Sequence, residues 1–204
     1  MPAHEIEFFF DVGSSYSYLA ATQITTVAAR AGTPVRWRPF LLGAVFKATG
    51  NDLPIRVPAK ARWMLGDMHA WAAHYKIPFA MPTRFPVITL RAQRMLAAIE
   101  RMHPAQLSTA ALALFRAYWA EGEDITTDPV LAAGARAAGL DPENTIAAID
   151  APETKDHLRA TTEEAVRRGA FGAPSMFVGD SLFFGNDRLP LLEEHLARAR
   201  GGVS

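Results

Sequence analysis

Ser14 is the residue of this sequence whose type and position most clearly suggest chemistry. It follows the aromatic run Phe8–Phe10 and a short turn, and it precedes residues with helical spacing. We therefore predict that it caps a helix, where free backbone N–H groups and the helix dipole favour an anion. A thiol held there would lose its proton more readily, and the serine hydroxyl could donate to the thiolate. Because the chain has no cysteine, we expect any such thiol to arrive with a ligand.

The structural alternative for Ser14 is a plain helix cap, a common role for serine. No histidine lies near it in the sequence, so no catalytic triad can be identified and serine hydrolysis is not favoured. The histidines show no metal-ligand pattern, since His69 and His74 are five positions apart and do not share a helix face. We expect no metal.

The overall composition limits the classes of partner. The 204 residues include 21 basic and 21 acidic side chains, and this balance argues against a nucleic-acid or anionic-membrane partner. No apolar run approaches the roughly 20 residues that cross a bilayer, and the segment Met1–Glu5 lacks the features of a secretory signal. We therefore expect a cytoplasmic protein with a small-molecule ligand.

The elements around Ser14 are predicted from periodicity. Residues 5–10 form an apolar strand, and residues 16–31 place their apolar side chains on one helix face. Gly32 and Pro34 end this helix, and a strand follows at residues 35–39. A helical connection of this length makes the two strands parallel.

The middle of the chain, residues 43–169, has helical patterns without a strand signal. Asp128 and Asp141 each precede a proline and are predicted N-caps. The other predicted helices are Ala59–Tyr75, Val87–Met102, Pro104–Ala120 and Thr154–Arg168. Beyond them, Ser175–Val178 and Ser181–Phe184 flank Gly179-Asp180 and predict a hairpin, and a last helix spans Asp187–Arg200.

This order of elements, together with six short motifs, resembles the DsbA-like thioredoxin fold. Within it, the chain resembles the 2-hydroxychromene-2-carboxylate isomerases and the kappa-class glutathione transferases. The resemblance implies an α/β fold, with a thioredoxin-like domain at 1–42 and 170–204 and an all-helical insertion at 43–169. The motifs are Phe10–Ser14, Tyr16–Ala20, Lys47 with Gly50-Asn51, Trp71–Tyr75, Phe171–Phe177 and Phe184–Leu189. Family members usually have proline after the serine, where this chain has Ser15.

The resemblance also implies a glutathione site. Ser14 would hold the sulfur, and the backbone of Ala173, before a cis Pro174, would pair with the cysteinyl part. The alternative for Pro174 is an ordinary strand-entry proline. The γ-glutamyl end would be held by four consecutive residues, with the Asp187 carboxylate pairing with its ammonium; a simple N-cap is the alternative for Asp187. These four residues are Phe184, Gly185, Asn186 and Asp187.

On the substrate side, the resemblance assigns Lys47 to a substrate carboxylate, while Asn51 would help to hold substrate or glutathione. Phe85, with Phe46 and Trp63, could form an aromatic wall, although aromatic side chains are more often core residues. The expected activity is a glutathione-dependent cis-trans isomerisation of 2-hydroxychromene-2-carboxylate or a related intermediate of aromatic catabolism, in a homodimer.

Two other functions stay open at this point. A kappa-like transferase would release glutathione in a conjugate, and a thiol-free peptide-binding or chaperone-like module would use the edge at Pro174 without chemistry. A dithiol oxidoreductase is excluded, because the chain has no cysteine.

Overall fold

The computed structural model is described for residues 5–201. Residues 1–4 and 202–204, which include His4 and both ends of the predicted thioredoxin-like domain, lie outside this range. Four strands in residues 5–201 form a mixed sheet in the order β2-β1-β3-β4. These strands are β1 Ile6–Phe10, β2 Val35–Pro39, β3 Ser175–Val178 and β4 Ser181–Phe184.

The first unit of the sheet is β1, helix α1 (Ser15–Ala31) and β2. The strands β1 and β2 are parallel, as the sequence predicts. Gly32 ends α1 with a φ of 53° and donates its N–H to carbonyl oxygens of the last turn, which confirms the predicted stop. At the other end of the chain, β3 runs antiparallel to both β1 and β4, so the predicted hairpin is present.

Strand β1 is buried on both faces of the sheet. Phe8 and Phe10 contact Trp37 on one face, in the cluster that includes side chains of α1. Phe9 packs against Phe40 and Phe177 on the opposite face. The three consecutive phenylalanines of β1, Phe8–Phe10, thus reflect a strand covered by other elements on both sides.

The segment between β2 and β3 is helical, and the described residues 43–169 contain no strand. The turn after β4 passes through a short 3-10 helix, Asn186–Arg188, into the last α-helix. Beyond α1, the α-helices are α2 Leu42–Thr49, α3 Pro58–Tyr75, α4 Leu90–Met102, α5 Leu107–Trp119, α6 Asp128–Ala137, α7 Pro142–Ala147, α8 Pro152–Arg167 and α9 Leu189–Gly201.

Three details of the predicted helices are corrected by the structure. Helix α2 has no counterpart among the predicted elements. Helix α4 begins at Leu90 and not at Val87, and the N-cap of α6 is Thr127 and not Asp128. The cap at Asp141 is as predicted, since its Oδ1 accepts the N–H of Asn144 at 2.8 Å. The boundaries assigned to the two domains stay a prediction.

Candidate functional site

A cavity of about 700 Å³ lies where the serine turn, the loop before β3 and the turn after β4 meet. Its walls are completed by α2, α3 and the loops next to them. The predicted site residues that line it are Ser14, Asn51, Phe85, Ala173, Phe184, Gly185, Asn186 and Asp187. Lys47 and Pro174 are not among its lining residues: Lys47 is exposed on α2, and Pro174 follows a residue that does line it.

Ser14 is the N-cap of α1, as its sequence context predicts. Its Oγ accepts the N–H of Ser17 at 3.1 Å and donates to the carbonyl oxygen of Ala173, also at 3.1 Å. The residue is 8% exposed and lines the cavity. Ser14 therefore caps the helix and also forms part of the cavity wall, so the structural role does not exclude a chemical one.

The turn before Ser14 depends on a close approach between two segments. A Cβ atom on Gly13 would lie 2.7 Å from the Cγ2 of Thr89, which is closer than real Cβ contacts. Thr89 immediately precedes α4 and also donates its hydroxyl to Asp11 at 3.1 Å. A side chain at position 13 would therefore separate the turn from the start of α4.

The buried Asp11 carboxyl stabilises this turn through hydrogen bonds. Its Oδ1 accepts the N–H of Gly13 at 2.9 Å, and its Oδ2 accepts the N–H of Leu42 at 3.0 Å in addition to the Thr89 hydroxyl. Burial raises the pKa of Asp11, and the three hydrogen bonds oppose that rise. One buried carboxyl thus joins the serine turn to the starts of α2 and α4.

The helical segment also fixes the backbone that leads to Ser14. The buried Gln93 of α4 donates to the carbonyl oxygens of Phe10 and Phe40 and accepts the N–H of Val12 at 3.3 Å. The indole N–H of Trp119 donates to the Val12 carbonyl oxygen at 2.8 Å. Sequence analysis did not identify Gln93, although a polar residue on an apolar helix face was a signal for it.

The peptide bond between Ala173 and Pro174 is cis, as expected. The Ala173 carbonyl oxygen accepts from Ser14, and its N–H has no protein partner within the described part of the chain. The Pro174 carbonyl oxygen accepts the N–H of Gly185 at 3.1 Å. Ala173 therefore offers an extended ligand a backbone donor, while Pro174 supports the turn after β4.

That turn requires a glycine. Gly185 has a φ of 99°, and a Cβ there would lie 2.5 Å from the Oδ1 of Asp187. Asn186 is buried and lies 3.4 Å from the hydroxyl of Tyr75 at the end of α3. The Asp187 side chain remains 46% exposed, so its carboxylate is accessible to a ligand in the cavity.

A second carboxylate faces the same region. The Tyr16 hydroxyl donates to the Oδ2 of Asp67 at 2.8 Å. Burial raises the pKa of Tyr16, and the charges of Asp67 and Asp187 add to the rise. Because both carboxylates act on one hydroxyl, they form an acidic end of the cavity that suits a cation.

Helix α3 supplies several cavity residues that sequence analysis did not assign to the site. The spacing of Lys60, Met64, Asp67 and Trp71 places them on one helix face, and all four line the cavity. Lys60 is the lysine that lines this cavity among residues 5–201, where Lys47 had been expected. The helical spacing of these residues was visible in the sequence, but nothing local indicated which face would meet the serine turn.

The remaining walls are largely aromatic. Phe46, Trp63 and Phe85 line the cavity, and Trp63 is 66% exposed. The Phe184 ring lies 4.4 Å from that of Phe171, centroid to centroid. The amide nitrogen of Asn51 donates to the Phe171 carbonyl oxygen at 2.9 Å, so Asn51 joins the end of α2 to the loop before β3.

These groups divide the cavity by charge and polarity. The start of α1 and Ser14 suit an anion, Asp67 and Asp187 suit a cation, and Lys60 suits a carboxylate. Residues 5–201 contain no cluster of three or more metal-ligating side chains. None of the helices described is long and apolar enough to span a bilayer.

Comparison with known proteins places this chain in a family. The family model for the DSBA-like thioredoxin domain matches residues 5–197. A 2-hydroxychromene-2-carboxylate isomerase from Sphingobium xenophagum is 33% identical over 94% of this chain and 97% of its own length. Glutathione S-transferase kappa 1 from Homo sapiens is 33% identical over 92% of this chain and 88% of its own length.

The solved structure of a 2-hydroxychromene-2-carboxylate isomerase has the same fold, with a TM-score of 0.85 at 28% identity. The alignment covers 96% of this chain and 95% of that one. The predicted thioredoxin-like fold with a helix-rich insertion is thus confirmed. The chain belongs to the DsbA-like thioredoxin family, in the group that contains the 2-hydroxychromene-2-carboxylate isomerases.

Proposed function

We propose that this protein is a glutathione-dependent cis-trans isomerase of 2-hydroxychromene-2-carboxylate or a related intermediate of aromatic catabolism. The observation that carries the proposal is the position of Ser14, a hydroxyl at the start of a long helix that lines a cavity in a chain without cysteine. The isomerases among its relatives support the same class of reaction.

The polar groups of the cavity fit glutathione, an extended tripeptide with a thiol, an ammonium group and two carboxylates. The N–H of Ala173, which has no partner among the described residues, can pair with the backbone of glutathione, as in strand addition. Asp187, with Asp67 nearby, can pair with the ammonium group. The Ser14 Oγ lies 3.1 Å from the carbonyl oxygen of Ala173. A ligand paired with Ala173 would therefore hold its cysteinyl sulfur beside Ser14.

When bound, glutathione would supply a thiolate that adds to a conjugated carbon of the substrate and is later eliminated, so that the former double bond turns as a single bond in between. Ser14 redirects its hydroxyl from the Ala173 carbonyl oxygen to the sulfur, and the start of α1 stabilises the negative charge. The Ser14 hydroxyl and the start of α1 thus lower the pKa of the bound thiol, so that more of it is present as the thiolate that adds to the substrate.

The remaining side chains bind and orient the substrate. Phe46, Trp63 and Phe85 offer apolar and aromatic surface to a ring and reduce the access of water. Lys60 takes the role expected of Lys47 and pairs with a carboxylate, since it lines the cavity and Lys47 does not.

A reaction with a small amount of glutathione and a large excess of substrate tests this function. An isomerase converts all of the substrate and leaves the glutathione concentration unchanged. Loss of one glutathione for each product formed would instead identify a transferase, the second candidate that the human kappa relative favours. If glutathione at millimolar concentration does not bind, both enzymes are excluded and a peptide-binding module is favoured.

The proposal includes a cytoplasmic homodimer. Light scattering at several protein concentrations would measure the oligomeric state, and fractionation of cells would measure the location. A monomer at all concentrations would remove the homodimer from the proposal without affecting the chemistry at Ser14.

A further inference from the structure

We propose that Ser15 is a second hydroxyl donor to the sulfur anion, beside Ser14. The inference rests on the proposed glutathione chemistry and extends it to a residue that has no role in the motif. It predicts that two neighbouring serines, and not one, set the acidity of the bound thiol.

The burial of Ser15 is the first observation. Ser15 is the first residue of α1, is only 7% exposed and lines the cavity together with Ser14. Its side chain has no hydrogen-bond partner in residues 5–201. Its Oγ is nevertheless accessible from the cavity, so a bound ligand can supply the acceptor that the protein does not.

The backbone around Ser15 gives an independent reason to expect an anion. The N–H groups of Ser15 and Tyr16 have no protein acceptor within the described range, as expected for the first turn of a helix. Helix α1 has 17 residues, so its dipole favours negative charge at this end. The Ser15 hydroxyl therefore lies where both the free N–H groups and the helix dipole stabilise an anion.

Ser14 and Ser15 differ in the protein hydrogen bonds that they lose when they donate to sulfur. The Ser14 hydroxyl already donates to the Ala173 carbonyl oxygen and accepts the N–H of Ser17. Its proton reaches the sulfur only if the bond to Ala173 is exchanged. The Ser15 hydroxyl loses no protein hydrogen bond, so its interaction with a thiolate adds in full to the stabilisation of the charge.

The usual family residue at this position provides a matched comparison. Proline has neither a hydroxyl nor a backbone N–H, yet it is well tolerated in the first turn of a helix. Ser15→Pro should therefore keep the turn while removing both donors. Ser15→Ala removes the hydroxyl alone, and Ser15→Thr keeps it.

The test is a pH titration of the ultraviolet absorbance of the thiolate, with glutathione bound at saturation to each variant. We expect the native protein to lower the thiol pKa relative to free glutathione. Ser15→Ala should raise the bound thiol pKa by about one unit, since a hydrogen bond to a charged group contributes about that much. Ser15→Pro should raise it further, and Ser15→Thr should leave it near the native value.

The outcomes separate the two proposals. If the native protein lowers the thiol pKa, and Ser15→Ala and Ser15→Pro both lower it as far as the native protein does, Ser15 is not a donor. The proposed function stands in that case. If the native protein binds no glutathione or leaves its thiol pKa unchanged, both proposals are overturned. Circular dichroism and thermal unfolding establish that each variant is folded, and the two removal variants give the result independently of each other.

Discussion

The hydroxyl of Ser14 donates a 3.1 Å hydrogen bond to the carbonyl oxygen of Ala173, 159 positions further along the chain. This bond joins the start of α1 to the loop before β3. In this arrangement the only proton of the hydroxyl is directed at a neutral acceptor. A thiolate is the stronger acceptor, because charge-assisted hydrogen bonds are roughly twice as strong as neutral ones.

Replacing Ser14 by alanine should therefore affect turnover far more than binding. We expect Ser14→Ala to bind glutathione with nearly native affinity, because the contacts of Ala173 and Asp187 remain. Its kcat should fall about 100-fold, the usual effect of losing one donor to a developing anion. Calorimetric titration with glutathione and steady-state kinetics measure the two quantities.

The control for Ser14→Ala is a second loss of a helix cap, away from the cavity. Asp141 caps α7 by accepting the N–H of Asn144, and either cap should contribute about 1 kcal/mol to stability. Asp141→Ala should therefore lower stability to a similar extent and leave kcat unchanged. Full activity of Ser14→Ala would remove this hydroxyl from the mechanism.

A pair of lysine variants tests which cation the site uses. Lys60 and Lys47 are both exposed, but only Lys60 is among the residues that line the cavity within residues 5–201. We expect Lys60→Met to raise the KM for substrate about fivefold, since an exposed ion pair contributes little more than that. Lys47→Met should have a KM close to the native value.

Ionic strength provides a second measurement on the same pair. Added salt should reduce the difference between the native protein and Lys60→Met, because it screens exposed charges. Binding of glutathione alone separates the two possible carboxylates: a weaker affinity in Lys60→Met assigns the lysine to glutathione. A raised KM in Lys47→Met with a native value in Lys60→Met would restore the assignment made from the motif.

The sheet and its turns could be predicted because their signals are local. The alternation around β2, the stop at Gly32 and the turn at Gly179-Asp180 each involve a few neighbouring residues. Helix α2 was missed although Leu42, Val45 and Phe46 have helical spacing, because its eight residues give only about two turns of pattern. Helix α4 begins late since Thr89 bonds to Asp11, 78 positions away, and no local pattern records that contact.

The cavity shows the same division between local and distant information. The motifs identified Ser14, Ala173 and Asp187, which lie at the ends of predicted elements. Asp67 was not identified, because its role depends on a hydrogen bond from Tyr16, 51 positions earlier. Nor could sequence alone choose between Lys47 and Lys60, since the choice depends on how α2 and α3 are oriented over the serine turn.

Stability should depend strongly on one buried cation. Arg38 is 4% exposed, and its guanidinium lies 3.0 Å from Glu7, 3.2 Å from Glu100 and 2.6 Å from Glu164. Arg38→Met would remove the cation that all three carboxylates share, although Arg168 would still pair with Glu7 and Glu164. We expect the free energy of unfolding to fall by about 3–5 kcal/mol, as measured by urea denaturation.

Arg30→Met is the matched control for Arg38. Arg30 also pairs with a glutamate, Glu193, at 2.6 Å, but its side chain is 55% exposed. Water and salt screen such a pair, so its loss should leave the unfolding midpoint close to the native value. Equal midpoints for the two variants would contradict a special role for the buried cluster.

Two carboxyl groups, the partly buried Glu164 and the buried Asp11, should give pH dependences of opposite sign. Burial opposes ionisation of Glu164, but the hydrogen bond and charge of Arg38, with the charge of Arg168, hold its pKa below 4.5. Its contribution to stability is therefore present above that pH and is lost as the pH falls. Burial raises the pKa of Asp11 above 3.8, so its contribution is fully present below that pH and is lost as the pH rises through the raised value.

Asp11→Asn tests the pH dependence that comes from Asp11 alone, because Glu164 contributes equally to the native protein and to the variant. The asparagine should destabilise the protein at every pH, since its amide nitrogen must face a backbone N–H of Gly13 or Leu42 that the carboxyl accepts. The difference in unfolding free energy should be largest below the ordinary pKa of an aspartate and should shrink as the pH rises through the raised pKa of Asp11, where the native protein loses the contribution of the protonated carboxyl. Urea denaturation across this range measures it. A difference that grows with pH would mean that the hydrogen bonds outweigh burial and that the pKa of Asp11 is lowered.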